Sequence, residues 1–170
     1  MAKDEIQKAL DRFRDAVIKQ AKANLTRMGK NSSKKLYNSI KGDVKAMPNS
    51  ISMEFTMEEY GFYQDQGVSG KEKKYDTPFS YKSKMPPPSK LDKWIVRKGM
   101  SPRDSKGKFV SRKGLQFLIA RSIYRNGIRP SMFFTKPFEA AYKKLPDELI
   151  DKYGIEAAKL FMDTIVQPKK

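Results

Sequence analysis

The run Ile51-Ser52-Met53-Glu54-Phe55-Thr56-Met57-Glu58-Glu59-Tyr60 sets Ile51, Met53, Phe55 and Met57 in alternation with Ser52, Glu54, Thr56 and Glu58. A period of two sends one set to each face of an extended chain, so 51–60 is expected to be a strand with one wet face. Immediately upstream, Pro48-Asn49 supplies a turn and 43–47 a short extended run. Together they predict a β-hairpin, and with it an antiparallel sheet.

Toward the N-terminus the period changes. Ile6, Leu10, Phe13, Val17, Ala21, Leu25 and Met28 recur at spacings of three and four, which predicts one amphipathic helix over 4–28. Asp4 and Glu5 at its start and Arg27 and Lys30 near its end suit the helix dipole, and Gly29 suits a C-cap. A shorter helix capped by Ser32 or Ser33 is expected to carry Leu36, Tyr37 and Ile40.

Downstream, 67–114 is rich in Gly, Ser, Lys and Pro, and Met85-Pro86-Pro87-Pro88 can form neither helix nor central strand. Within it, 88–98 could be a helix capped near Ser89, with Leu91, Trp94 and Ile95 on one face. Residues 101–113 read as an exposed basic loop or hairpin with Gly107 near its tip and Phe109-Val110 as its apolar pair. From Gly114, Leu115, Leu118, Ile119, Ser122 and Ile123 form a helical stripe that stops at Asn126-Gly127. A short helix over 137–144 would carry Phe138, Ala141 and Tyr142. Pro146, as first helical residue, would then open a last helix bearing Leu149, Ile150, Tyr153, Ala157, Leu160, Phe161 and Ile165. The expected fold is α+β: a small antiparallel sheet packed by a long N-terminal helix and C-terminal helices. Its 170 residues make one domain, 1–170, with 67–113 as a basic arm inserted within it.

The chain has 36 basic and 19 acidic side chains, a net charge of +17, of which +10 falls within 67–113. Such a field favours anionic partners, although a solvated surface that keeps a subunit soluble before assembly has the same composition. With neither histidine nor cysteine, imidazole catalysis, thiolate chemistry, disulfides and Cys/His zinc sites are excluded. Carboxylate–lysine nuclease chemistry is left, with Glu72-Lys73-Lys74 after Asp65 as its candidate. A Glu-x-Lys triplet arises by chance in a chain so rich in lysine. The expectation is therefore a protein that is not an enzyme and has no catalytic residue, metal or cofactor. No run of about 18 apolar residues or apolar signal core is seen, so no membrane partner and an intracellular product are expected.

Tyr60-Gly61-Phe62-Tyr63-Gln64-Asp65-Gln66-Gly67 and, later, Gly127-Ile128-Arg129-Pro130-Ser131-Met132-Phe133-Phe134-Thr135-Lys136-Pro137-Phe138-Glu139-Ala140-Ala141 stand behind a long helix and a strand pair. In that order they resemble the head–tail connector and tail-completion proteins of tailed bacteriophages. The resemblance covers roughly residues 1–67 and 114–165; the intervening basic stretch replaces what is usually a short loop. It implies a virion structural subunit that joins copies of itself in a ring at the neck or tail, touching portal, adaptor or tail proteins, with non-specific contact to genomic DNA, and assembled in the host cytoplasm. Tyr60, Tyr63, Asp65, Gly67, Arg129, Pro130, Phe133, Phe134, Pro137 and Phe138 would then serve packing, with Gly67 at positive φ.

For the arm, the expected subunit-interface or anionic-partner residues are Lys71, Lys73, Lys74, Tyr75, Phe79, Tyr81, Lys82, Lys84, Trp94, Arg103, Lys106, Lys108, Phe109 and Arg112. Its interleaved aromatics fit base stacking with phosphate contact, or packing on a neighbouring subunit, which is preferred. A sequence-non-specific nucleic-acid-binding protein using 67–113 is the alternative. Removal of 71–112 is expected to leave a folded monomer that fails to complete particles.

Overall fold

The computed structural model describes residues 3–47, 50–153 and 165–166. It is an α+β fold whose elements run α1 (Lys3–Arg27), α2 (Lys35–Ser39), β1 (Lys41–Ala46), β2 (Ile51–Thr56), α3 (Tyr60–Gln66), a 3-10 turn (Pro88–Leu91), α4 (Asp92–Arg97), α5 (Arg112–Asn126), α6 (Thr135–Tyr142), α7 (Asp147–Tyr153) and β3 (Ile165–Val166). The chain forms two compact units, Met1–Gly61 with Met132–Lys170, and Phe62–Ser131. No helix among the described residues is long and apolar enough to cross a membrane.

In the first unit the strands pair as the alternation requires, and the Pro48-Asn49 turn lies outside the described residues. β1 and β2 pair antiparallel from Lys41 with Thr56 to Ala46 with Ile51. Met53, Phe55 and Met57 are buried while Ser52 and Glu54 are exposed. β2 ends at Thr56, and Tyr60 opens α3 rather than ending a strand. The stripe of α1 from Ile6 to Leu25 lies buried against β1 and α6. Met28, expected on that stripe, is outside the helix and 37% exposed. A Schellman turn stops α1 there: Lys30 N–H donates to the Leu25 carbonyl (2.9 Å) and Gly29 N–H to that of Thr26 (3.0 Å), with Gly29 at φ +62°. Gln7 on α1 uses its amide as a backbone mimic, donating to Val44 O (3.0 Å) and accepting from Ala46 N–H (2.8 Å), which covers the free edge of β1.

Several boundaries differ from the sequence expectation. Neither Ser32 nor Ser33 caps α2, which starts after left-handed Lys34 (φ 52°). Pro146 precedes α7 instead of being its first residue, and of the last stripe Leu149 is buried with Ile150 and Tyr153 packed on the core. Ala157, Leu160 and Phe161 lie outside the described residues. Ile165 belongs to β3, which pairs parallel with Phe55 and Thr56. Ile165-Val166 is β-branched and meets the open edge of β2, so strand pairing replaces the helical continuation.

Phe13, Phe55, Phe134 and Phe138 form the centre of this core. Phe55 meets Phe134 edge-on at 5.3 Å and Phe138 at 6.2 Å, and Phe13 meets Phe138 at 5.3 Å. Such geometry sets the positive edge of one ring against the negative face of another. Phe55→Ala is expected to destabilise this unit by about 3–5 kcal/mol, read as a lower urea midpoint. Met28→Ala should stay within about 0.5 kcal/mol.

Candidate macromolecular interface

The second unit, 62–131, holds 17 basic and 5 acidic side chains, so +12 of the +17 resides in its 70 residues. Its buried apolar side chains are few: Val68, Ile95 and Ala120. Hydrogen bonds to the backbone organise the rest.

The 67–84 stretch lacks regular elements yet is closely tied to α5. Val68 and Ile128 exchange both backbone hydrogen bonds at 2.8 Å, and Ser69 bridges to the strand-like 79–81 segment. Lys71 N–H donates to Tyr124 O (3.0 Å), and Glu72 N–H (2.9 Å) and Lys73 N–H (3.3 Å) donate to Arg125 O. Three loop donors thus satisfy carbonyls that a helix leaves open at its C-terminus. The approach is so close that a Cβ on Gly70 would lie 2.2 Å from Arg125 O, and one on Gly127 (φ +74°) 2.1 Å from Val68 O. The Ser69 hydroxyl donates to Tyr75 O (3.1 Å) and accepts from Tyr75 N–H (3.0 Å), closing the intervening turn.

This binding-in alters the expected arm. Excising 71–112 would strip α5 of its C-terminal donors, its Ser111 cap and its first residue, so the stretch is part of the unit's framework. Phe79 stacks edge-on with Tyr63 (4.7 Å), Tyr81 meets Tyr124 (6.3 Å), and Tyr75 is half-buried. Burial also raises the pKa of the Tyr81 hydroxyl, because the phenolate is poorly hydrated there. These aromatics face the unit itself, whereas Lys71, Lys73, Lys74, Lys82 and Lys84 are exposed at the surface. Lys74 Nζ donates to Gly70 O at 2.9 Å.

Residues 88–98 are a 3-10 turn followed by α4, with no side-chain cap at Ser89, since Pro86-Pro87-Pro88 fixes an extended entry. Ile95 is buried, and half-buried Trp94 lines a recess with Met100, Leu115 and Ile119. The basic 102–110 segment is a hairpin: Arg103 bridges Phe109, Val110 N–H donates to Pro102 O (3.0 Å), and Gly107 at the tip has φ +77°. Asp104 Oδ1 accepts the N–H groups of Lys106 and Lys108, each at 2.9 Å. The Arg103 guanidinium lies 3.9 Å from the Phe109 ring centre, yet Phe109 stays 58% exposed.

α5 begins two residues before the expected Gly114, because Ser111 Oγ accepts Gly114 N–H at 3.1 Å and caps it. Arg112 and Lys113 therefore occupy its first turn, where the dipole disfavours cations. The inner stripe includes fully buried Ala120; Leu118 and Ser122, expected inside, face out, Leu118 at 53% exposure. Phe117 (48%), Val96 (53%) and Met100 (38%) are exposed too. Sequence reasoning missed these four apolar residues. The available signal was Phe117-Leu118 with Lys113 and Arg121 at i±4 from Phe117, the pattern of an outward helix face.

Four of the unit's acids are engaged internally. Asp65 is 3% exposed; Glu72 pairs with Arg125 (2.6 Å); Asp92 accepts from Gln116 (2.6 Å) and lies 3.6 Å from Arg112; Asp104 holds the hairpin turn. The surface field is left strongly positive. Among the described residues no three acids cluster as a metal site would require, and Glu72 is occupied by Arg125.

The motif residues divide between the units. Asp65, Gly67 and Pro130 meet where Ser131 N–H donates to Asp65 O (3.0 Å) and a Cβ on Gly67 would touch Pro130; Arg129 and Tyr63 are exposed there. Phe133, Phe134, Pro137 and Phe138 are buried in the first unit, and Tyr60 is 42% exposed. No protein-family model, curated protein or solved structure matches the chain.

Gly127→Ala is expected to unfold the α5 end locally, because the new Cβ meets backbone at a positive φ. Hydrogen exchange should speed up at Val68, Lys71, Glu72 and Ile128 while the amides of β1 and β2 keep their protection.

Proposed function

We propose that this chain is a virion structural subunit of a tailed bacteriophage, a head–tail connector or tail-completion protein that joins copies of itself in a ring at the neck or tail. The 60–67 and 127–141 segments supply the resemblance on which the setting rests. The assembly role is carried by one observation: Val96, Met100, Phe109, Phe117 and Leu118 are all exposed in a unit of net charge +12. Charge alone keeps a protein soluble, but exposed aliphatic and aromatic groups among cations gain from burial against another macromolecule. In this reading the subunit is not an enzyme, and its neighbours are its own copies with portal, adaptor or tail proteins.

A second reading, sequence-non-specific binding of nucleic acid, is favoured by the internal engagement of Glu72, Asp92 and Asp104, which leaves the lysines of 71–84 and 106–113 to act on phosphates. Phe79 and Tyr81 are half-buried and already packed on Tyr63 and Tyr124, which argues against base stacking as its mechanism.

Native mass spectrometry with electron microscopy separates the two. The ring reading expects a closed oligomer of fixed copy number that binds duplex DNA weakly and without a defined site size. A chain that stays monomeric at every concentration and binds DNA with a steep salt dependence would overturn it.

A further inference from the structure

We propose that the groove between the 102–110 hairpin and α4 receives a second copy of this chain, which enters it with its Glu58-Glu59-Tyr60 turn. The inference rests on the ring reading and names the contact that joins neighbouring subunits.

The groove has a volume of about 370 Å³, with Ile95 and Leu115 among its lining, Val96, Met100 and Phe109 in its walls, and Arg112 beside them. All three wall residues are exposed, at 53%, 38% and 58%. A phosphate backbone gains nothing from aliphatic walls, whereas an apolar side chain leaving water does. The cation at the edge selects for a carboxylate next to that side chain. Arg112 has 62% of its side chain exposed and stands 3.6 Å from Asp92, a long ion pair that leaves it capacity for a second carboxylate.

The chain itself carries the complementary feature. In the first unit the exposed large hydrophobic residues are Met28 and Tyr60 among those described. Met28 stands between Arg27 and Lys30, which the groove's charge would repel. Tyr60 instead follows Glu58 and Glu59. Glu58 is held by Lys35 at 2.9 Å, and its N–H donates to Ser39 Oγ (3.0 Å), so the turn is pinned while Glu59 and Tyr60 project to solvent. Groove and turn are different patches, so the contact between copies is heterologous, the kind that generates rings when its rotation closes.

The test uses the full chain and reads association by light scattering over a concentration series. Arg112→Glu and Glu59→Lys are each expected to weaken self-association roughly tenfold, by placing like charges across the contact, and Tyr60→Ala to weaken it further. The double variant R112E/E59K restores an opposite pair and should recover most of the loss, which misfolding of either single variant could not mimic. Wild-type oligomers indifferent to all these changes, or a double variant no better than the singles, would place the contact elsewhere and leave the ring reading standing. A wild-type chain that never associates removes both. Loss of duplex DNA binding in R112E with association unchanged would assign the groove to nucleic acid and overturn the proposal.

Discussion

The first unit depends on one constraint: Phe55 must be enclosed on the inner face of β2. α1 supplies Phe13, and the segment beyond residue 132 supplies Phe134 and Phe138, so two stretches far apart in sequence converge on the one ring of β2. Removing any of them leaves large apolar surfaces in water, and no rearrangement within the hairpin can cover them. Gly42 follows from the same enclosure, because a Cβ there would lie 2.8 Å from Phe55 Cε1. Asn24 completes it by donating its amide to Phe133 O at 3.2 Å, which holds the chain at the point where it enters α6.

The second unit is organised on the opposite principle. With Val68, Ile95 and Ala120 as its buried apolar side chains, it has little transfer free energy to draw on, and backbone pairing between 68–81 and 124–128 does the organising. Apolar residues not needed for a core remain at its surface. The charge follows the same logic, since Glu72, Asp92 and Asp104 are engaged in fixing loops and helix contacts. A unit built this way presents both positive charge and apolar area, and each acts on the choice of partner.

What the sequence disclosed depended on periodicity. The alternation of 51–57 and the stripe from Ile6 to Leu25 were legible because each has one buried face. β3 was not, since two residues have no period and Ile165 falls at a spacing that fits a helix. The 67–84 framework was also hidden: Val68 and Ile128 are 60 positions apart, and neither differs from an ordinary β-branched residue. At the candidate interface the lysines were legible as charge, but composition is blind to direction. Phe79 and Tyr81, expected at a partner-facing surface, are half-buried against Tyr63 and Tyr124; Leu118 was expected inward and faces outward. The start of α5 was misplaced because Arg112 and Lys113 contradict dipole preference, although Ser111 was in position to cap it.

The first unit is assembled from the two ends of the chain, with 62–131 between them. During synthesis α1 and the hairpin therefore emerge without Phe134 and Phe138, and about 70 further residues must be translated first. At roughly 5–20 residues per second, Phe13 and Phe55 spend several seconds uncovered on the ribosome. The backbone pairing of 68–73 with 124–128 lies within the intervening residues, so that framework can fold during the delay. A prefolded 62–131 would also shorten the effective loop joining the halves and lower the entropy lost when they meet.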